Sequence, residues 1–371
     1  MKHPGGAPIF GAVAPHIDDL SRALLAWFDG ALRDLPWRRD HDPYRVWISE
    51  IMLQQTRVET VIPRFERWLE RFPTLESLAR AEIDDVLGEW EGLGYYSRAR
   101  NLHATARIVR ERPGGELPES TEELRALPGI GEYTAGAIAS IAFERPEPAI
   151  DVNARRVLSR VFDLADPTGA ELRARVAPLI PRERPGDFNQ ALIELGATVC
   201  RPRSPRCDEC PLSGACLALA RGTAAERPGR PRRPAVPSFE IGVAVVVSPA
   251  GRALMVRRSE RGMLGGMWEF PGRVVERGEY AGSAAERAAA ALVDSATRVR
   301  SFAEVAHAYS HRHHVYRAFL FESEAEPAPD PAAVVAGGWT AAAWEDPDPA
   351  RRALPTAQRR IARALAELVP C

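Results

Sequence analysis

From residue 15 to residue 219, apolar positions recur at helical spacing with short polar breaks. The stretches "HIDDLSRALLAWFDGAL", "ETVIPRFERWLERF", "IDDVLGEW", "RARNLHATARIVRER", "ELRARVAPLI" and "DFNQALIELGATV" read as helices, and no credible strand interrupts them. An all-α domain over 15–219 is therefore predicted. Residues 220–238, "ARGTAAERPGRPRRPAVPS", are rich in Pro and Arg, have almost no large apolar residue, and read as an extended linker with solvated charge. Beyond it the texture changes. "FEIGVAVVV", "ALMVRR", "VRSFAEVAHAY" and "HHVYRAFLFE" are rich in β-branched and aromatic residues between turn signals, and two helical stretches accompany them. Residues 239–371 are expected to form a smaller α+β domain, and there is no internal repeat.

One polar residue breaks the helical pattern. In "VWISEIMLQQT" (46–56), Asp42 and Pro43 suit an N-cap and first turn, while Tyr44, Trp47, Ile48 and Ile51 form an apolar stripe. At about 100° per residue Glu50 falls inside that stripe, between Val46 and Trp47. Two readings stand. The carboxyl is satisfied by a nearby donor or turned to the rim, or it is a desolvated acid whose raised pKa holds a proton near neutrality for general-acid catalysis.

Composition narrows the class. A length of 371 residues allows two or three domains, and 45% hydrophobic with 27% charged residues is ordinary for a globular chain. No run is long enough for a transmembrane helix and no secretory leader is evident, so a cytoplasmic protein without membrane contact is expected, nucleoid-associated in a prokaryote. Net charge is -1, so any binding of nucleic acid must come from local arrangement. Lys2 is the only lysine, and all other basic residues are arginine.

Three motifs carry chemistry. Cys200, Cys207, Cys210 and Cys216 form C-x6-C-x2-C-x5-C, with Cys371 alone at the end. Disulfides are a poor account of such a cluster in a chain without a secretion signal. The spacing suits one [4Fe-4S] cluster, with zinc as the competitor. In "LPGIGEYTAGAI" (127–138), preceded by Ser120 and Glu123 at capping-box spacing, a helix leads through a glycine turn into a second helix. That turn is either plain packing or a hairpin in which Gly129 and Gly131 let the backbone approach a DNA phosphate. In "AIDVNARRVLSRVF", Asp151 is either a plain N-cap or an ionised carboxylate held by helix amides. In the second case Glu50 and Asp151 are the acid and the cation stabiliser that glycosidic cleavage needs.

Taken together, "SEIMLQQT", "GLGYYSRARNL", "LPGIGEYTAGAI", "IDVNARRV", "FNQALIELGA" and the cysteine loop closely resemble the MutY-type adenine DNA glycosylases of the helix-hairpin-helix superfamily. The resemblance covers the helical domain almost end to end. It implies excision of adenine mispaired with 8-oxoguanine or guanine, after the adenine is flipped out of double-stranded DNA. It further implies that Glu50 protonates the leaving adenine and helps activate water. Asp151 would stabilise the sugar cation, with Asn153 nearby and Tyr133 beside the sugar. Leu53, Gln55 and Tyr95 would wedge into the base stack, and Trp37, Arg38 and Gln190 would line the adenine pocket. A [4Fe-4S] cluster on the four cysteines and a monomeric state are expected, and no protein partner is implied.

The second domain fits the same family. "GGMWEFPGR" resembles a Nudix fold, but "AAERAAAA" around Glu286 and Arg287 replaces the carboxylate-rich metal-binding core, so phosphohydrolysis is not expected. "HAYSHRHH" matches the family's lesion-reading loop, with Tyr309, Ser310 and His311. Two departures stand out: Tyr309 where phenylalanine is usual, whose hydroxyl needs a partner, and Val152 where glycine commonly follows the aspartate.

Two other readings remain at this point. An endonuclease III-like glycosylase for oxidised pyrimidines carries a lysine where this chain has Tyr133 and lacks the Nudix-like domain. A non-catalytic iron–sulfur damage-binding protein needs neither Glu50 nor Asp151 beside a phosphate backbone that repels both. With no amine at position 133, base release without strand cleavage is expected.

Overall fold

The structure, a computed structural model, describes residues 17–31, 33–229, 236–259, 262–309, 311–348 and 354–368. The chain divides into two compact units, Met1–Arg80 with Ala104–Arg232, and Ala81–His103 with Arg233–Cys371. Residues 81–103, within the run read as helical, are grouped with the second unit. No helix among the described residues is long and apolar enough to cross a membrane.

Helices α1 (Ile17–Ala31), α2 (Pro43–Leu53), α3 (Val58–Arg71), α4 (Leu75–Arg80), α5 (Ile83–Glu89) and α6 (Ser97–Arg110) are followed by α7 (Thr121–Arg125), α8 (Glu132–Phe143), α9 (Val152–Val161), α10 (Gly169–Val176), α11 (Pro185–Thr198) and α12 (Leu217–Ala220). In the first unit α1, α9 and α11 bury Leu24, Phe28, Leu158, Phe188, Leu192 and Leu195 in one core. Truncating one of these, as in Leu195→Ala, is expected to cost about 2–5 kcal/mol. Helix α8 is the central element, with Thr134 through Ile141 buried on every side. Its Gly136 is required by sterics, because a Cβ there would sit 2.1 Å from the carbonyl oxygen of Pro148. The chain entering α9 can therefore lie directly on α8.

The α7–α8 hairpin follows the expected chemistry. The Ser120 hydroxyl accepts the N–H of Glu123 at 3.2 Å, and the turn passes through Gly129 at φ 77°. Gly131 caps α8 in an extended conformation, with nothing within 4 Å of where its Cβ would be. The glycine leaves the backbone open on that side.

The first residues of the segment read as a linker are tied down. Asp163 accepts from Arg221 Nη1 (2.9 Å), Thr223 Oγ1 (2.6 Å) and Arg227 Nε (2.8 Å), and the Gly229 N–H bonds the Ala165 carbonyl at 2.6 Å. One carboxylate at the end of α9 collects donors that look solvated in the sequence, so residues 221–229 are anchored rather than extended.

In the second unit a seven-stranded sheet is built from β1 (Ser238–Val247), β2 (Ala253–Arg258), β3 (Trp268–Glu269), β4 (Gly272–Val274), β5 (Thr297–Ala308), β6 (His313–Glu322) and β7 (Trp339–Glu345). The order is β3-β2-β1-β6-β5, with β4 also on β1 and β7 on β2, and β1 runs parallel to β6. Alternate residues of β1 serve two cores. Val243 and Val245 face α15 (Thr356–Leu368), and Ala244 and Val246 face α13 (Ala281–Ala290), with α14 (Pro331–Ala336) completing the unit. On α13, Glu286 pairs with Arg298 at 3.1 Å, and Arg287 pairs with Glu279.

Candidate active site

Helix α2 is started by Asp42, whose side chain accepts the Arg45 N–H at 2.9 Å, with Pro43 at the first position. Its apolar stripe drives Trp47, Ile48 and Met52 into the core, and Glu50 goes in with them, 7% exposed. The hairpin then delivers Tyr133 on the first turn of α8, where its hydroxyl donates to Glu50 Oε2 at 2.6 Å. Burial pushes the Glu50 carboxyl up to about 7. The Tyr133 hydrogen bond and the Arg38 charge oppose that rise, and the Asp151 charge adds to it. Burial beside these two carboxyls also drives the Tyr133 phenol well above its ordinary range, so it stays a donor.

Asp151 is the N-cap of α9. Its Oδ1 accepts the N–H groups of Asn153 (2.8 Å) and Ala154 (2.7 Å), and its Oδ2 accepts Asn153 Nδ2 at 2.8 Å. Burial raises the Asp151 pKa, while these three donors and the Arg156 charge hold it down. Asp151 thus caps the helix and also lines the cavity. Val152 is compatible with this. It takes the first helical position, is 75% exposed, and is absent from the non-glycine residues with positive φ.

Glu50, Tyr133, Asp151 and Asn153 line one cavity of about 1870 Å³, counting its open mouth. Trp37, Arg38, Leu53, Gln55 and Gln190 line it too. Trp37 packs edge-on against Phe65 at 5.6 Å, and Gln55 lies at the mouth in a left-handed conformation, φ 57°. The other expected residues lie elsewhere. Gly129 and Gly131 are in the hairpin turn. Tyr95, 42% exposed, shares a cavity of the second unit with His307, Tyr309, His311 and Arg312. There the Tyr309 hydroxyl finds its partner in the Tyr316 hydroxyl at 2.8 Å, which also meets His314 Nδ1 at 3.0 Å. Ser310 lies outside the described residues.

Cys200, Cys207, Cys210 and Cys216 are free thiols lining a separate cavity of about 400 Å³ with Val157, Arg160 and Leu212. Four soft ligands converging on one apolar recess fit an iron–sulfur cluster. Among the described residues, no group of three or more His, Cys, Asp or Glu is arranged to hold a single metal ion. A hydrogen-bonded path joins the two cavities. Arg156 donates to Asn153 Oδ1 (2.9 Å), the Gly196 carbonyl (2.7 Å) and the Cys200 carbonyl (2.8 Å), and Arg160 Nη1 lies 3.3 Å from Cys200 Sγ.

Several supporting residues went unrecognised in the sequence. Asn189, 1% exposed, accepts the Ala149 N–H (3.0 Å) and donates to Ser140 Oγ (2.9 Å) and the Glu147 carbonyl (2.8 Å), tying down the chain that leads to Asp151. Gly196 lets α11 touch α9, since a Cβ there would lie 2.7 Å from Asn153. Glu194, on the apolar face of α11, accepts from Arg33 and Arg38. The signal that marks Glu50, a carboxylate inside an apolar stripe, was also present in "NQALIELGA".

The HhH-GPD superfamily of base excision DNA repair proteins matches residues 48–182, and a NUDIX domain matches residues 242–364. The chain is 38% identical over 368 residues to an adenine DNA glycosylase of Mus musculus, covering 82% of this chain and 71% of that one. To an adenine DNA glycosylase of Rattus norvegicus it is 37% identical over 409 residues, covering 93% and 78%. A solved thermostable thymine-DNA glycosylase is similar to it with a TM-score of 0.52 and 27% identity, over 55% of this chain and 97% of that structure.

Proposed function

Because the chain belongs to the adenine DNA glycosylases, enzymes of base excision repair that hydrolyse N-glycosyl bonds, we propose that it excises adenine paired with 8-oxoguanine or guanine in duplex DNA, using Glu50 as the acid. The observation that carries this reading is the buried Glu50 carboxyl, raised to about 7 and hydrogen-bonded to Tyr133, in one cavity with Asp151. Near neutrality about half of such groups hold a proton.

The steps follow from these residues. Protonated Glu50 gives its proton to a ring nitrogen of the flipped adenine. The bond from that base to the sugar breaks, and its electron pair leaves with the base. The oxocarbenium-like sugar is stabilised by Asp151, whose charge is held by Asn153 and Ala154. Glu50, now ionised, takes a proton from the water that attacks the sugar carbon. Tyr133 keeps the Glu50 carboxyl oriented and supplies no amine, so the product is an intact abasic strand.

Cys200, Cys207, Cys210 and Cys216 would hold a [4Fe-4S] cluster, which when bound cross-links its loop and need do no redox chemistry. The cavity with Tyr95, Tyr309 and His311 is the proposed lesion check, acting in a monomer on double-stranded DNA. Single-turnover excision on duplexes containing A:8-oxoguanine, A:G and A:T tests the whole reading. Release from the first two and not the third is expected, and equal release from all three would remove the lesion check.

A further inference from the structure

The wall of the base cavity formed by α11 holds a second buried glutamate that the steps above do not use. Glu194 is 1% exposed. Its Oε1 accepts Arg33 Nε at 2.6 Å, and its Oε2 accepts Arg33 Nη2 at 3.0 Å and Arg38 Nη2 at 2.9 Å. Arg38, with its side chain 10% exposed, lies over the Phe28 ring at 5.5 Å, and its Nε donates to Gln190 Oε1 at 3.1 Å. Guanidinium groups only donate, so the Gln190 carbonyl oxygen must face Arg38 and its amide NH2 must point elsewhere. A chain of contacts thus runs from Glu194 through Arg38 to the orientation of Gln190, and all three line the cavity that holds Glu50.

We propose that Glu194 is a positioning residue for base excision: by fixing Arg38 it sets the orientation of Gln190, and so the placement of the flipped base against Glu50. This rests on the proposed adenine excision. A carboxylate is required for the task. Its two oxygens accept three guanidinium hydrogen bonds at once, whereas a glutamine has one oxygen and would turn an NH2 toward a guanidinium that has no acceptor. Losing the charge also leaves Arg38 on that wall without its buried counter-charge. Arg33 is the less constrained of the two partners, with its side chain 39% exposed.

The test uses the full-length, cluster-loaded protein. Single-turnover adenine excision is measured beside affinity for a duplex carrying an abasic site, which places no base in the cavity. Glu194→Gln is expected to slow excision on the order of 100-fold, as a small misplacement of a reacting group does, with abasic-duplex affinity unchanged. Combined with Gln190→Ala, it should be no slower than Gln190→Ala alone, because both changes remove the same placement. Glu194→Asp keeps the charge but is too short to bridge both arginines, and it should fall between wild type and Glu194→Gln. That variant also serves if Glu194→Gln fails to fold. Wild-type excision rates in either folded variant overturn the proposal, as does a loss of abasic-duplex affinity that matches the loss of rate, or full additivity with Gln190→Ala. A wild-type protein that releases no adenine from either mispair instead overturns the proposed function itself.

Discussion

Two walls of one cavity each carry a buried glutamate, and the two side chains meet different partners. On the α2 wall Glu50 receives one hydrogen bond from a phenol, and burial raises its carboxyl to about 7. On the α11 wall Glu194 receives three hydrogen bonds from two guanidiniums. Both are glutamates and both are buried, so neither property by itself decides the role. The hydrogen-bond partners differ: Glu50 has one phenol beside it, while both oxygens of Glu194 are held by guanidinium donors.

The sharpest way to break that contrast is to remove the proton. Glu50→Gln keeps the shape and is expected to reduce single-turnover excision by about 10³-fold or more while mismatched DNA still binds. Excision near the wild-type rate would move the acid elsewhere. Next comes Asp151, the other carboxyl lining the same cavity. Asp151→Asn loses the charge and sets an NH2 against Asn153 Nδ2, so a fall of about 10²–10³-fold is expected in the same assay. A loss of less than about tenfold would reduce Asp151 to a helix cap.

The phenol should tune the acid, since its hydrogen bond holds the Glu50 pKa down. In Tyr133→Phe that pKa rises further, so the alkaline fall of excision rate should move upward by about one pH unit. A shift downward would contradict the assigned direction.

A smaller effect appears in stability. The Glu50 pKa is higher folded than unfolded, so its contribution is full below about 4.5 and is lost as pH rises through about 7. Glu50→Gln should therefore gain up to about 3 kcal/mol on wild type between acid pH and pH 8, measured by denaturant unfolding. The least effect is expected from the lysine. With Lys2 deleted, borohydride added during turnover should trap no covalent DNA complex, since neither wall offers an amine. Trapping in proportion to base release would mean that another nucleophile attacks the sugar.

Much of this protein was legible along the chain because it depends on local rules. Helical periodicity marks α1, α2, α3, α5, α6, α10 and α11, β-branched and aromatic runs mark β1, β2, β5 and β6, and Glu50 stands out by its position in a stripe. Cysteine spacing survives any folding detail. What stayed hidden depends on partners distant in sequence. Strand β7, "WTAAAWE", has three alanines in a row and Thr340 as its one β-branched residue, and it exists because it pairs with β2, from Ala253–Glu345 to Arg258–Trp339. Asp163 holds Arg221, Thr223 and Arg227 in what reads as linker, and Tyr316 supplied the partner for the unexpected Tyr309 hydroxyl. Glu194 is the clearest case. The sequence alone determined that a carboxylate sits on the apolar face of α11, but its partners Arg33 and Arg38 come from more than 150 positions away. Whether a buried carboxyl is an acid or an anchor depends on charge and desolvation within a few ångströms, and only packing brings those groups together.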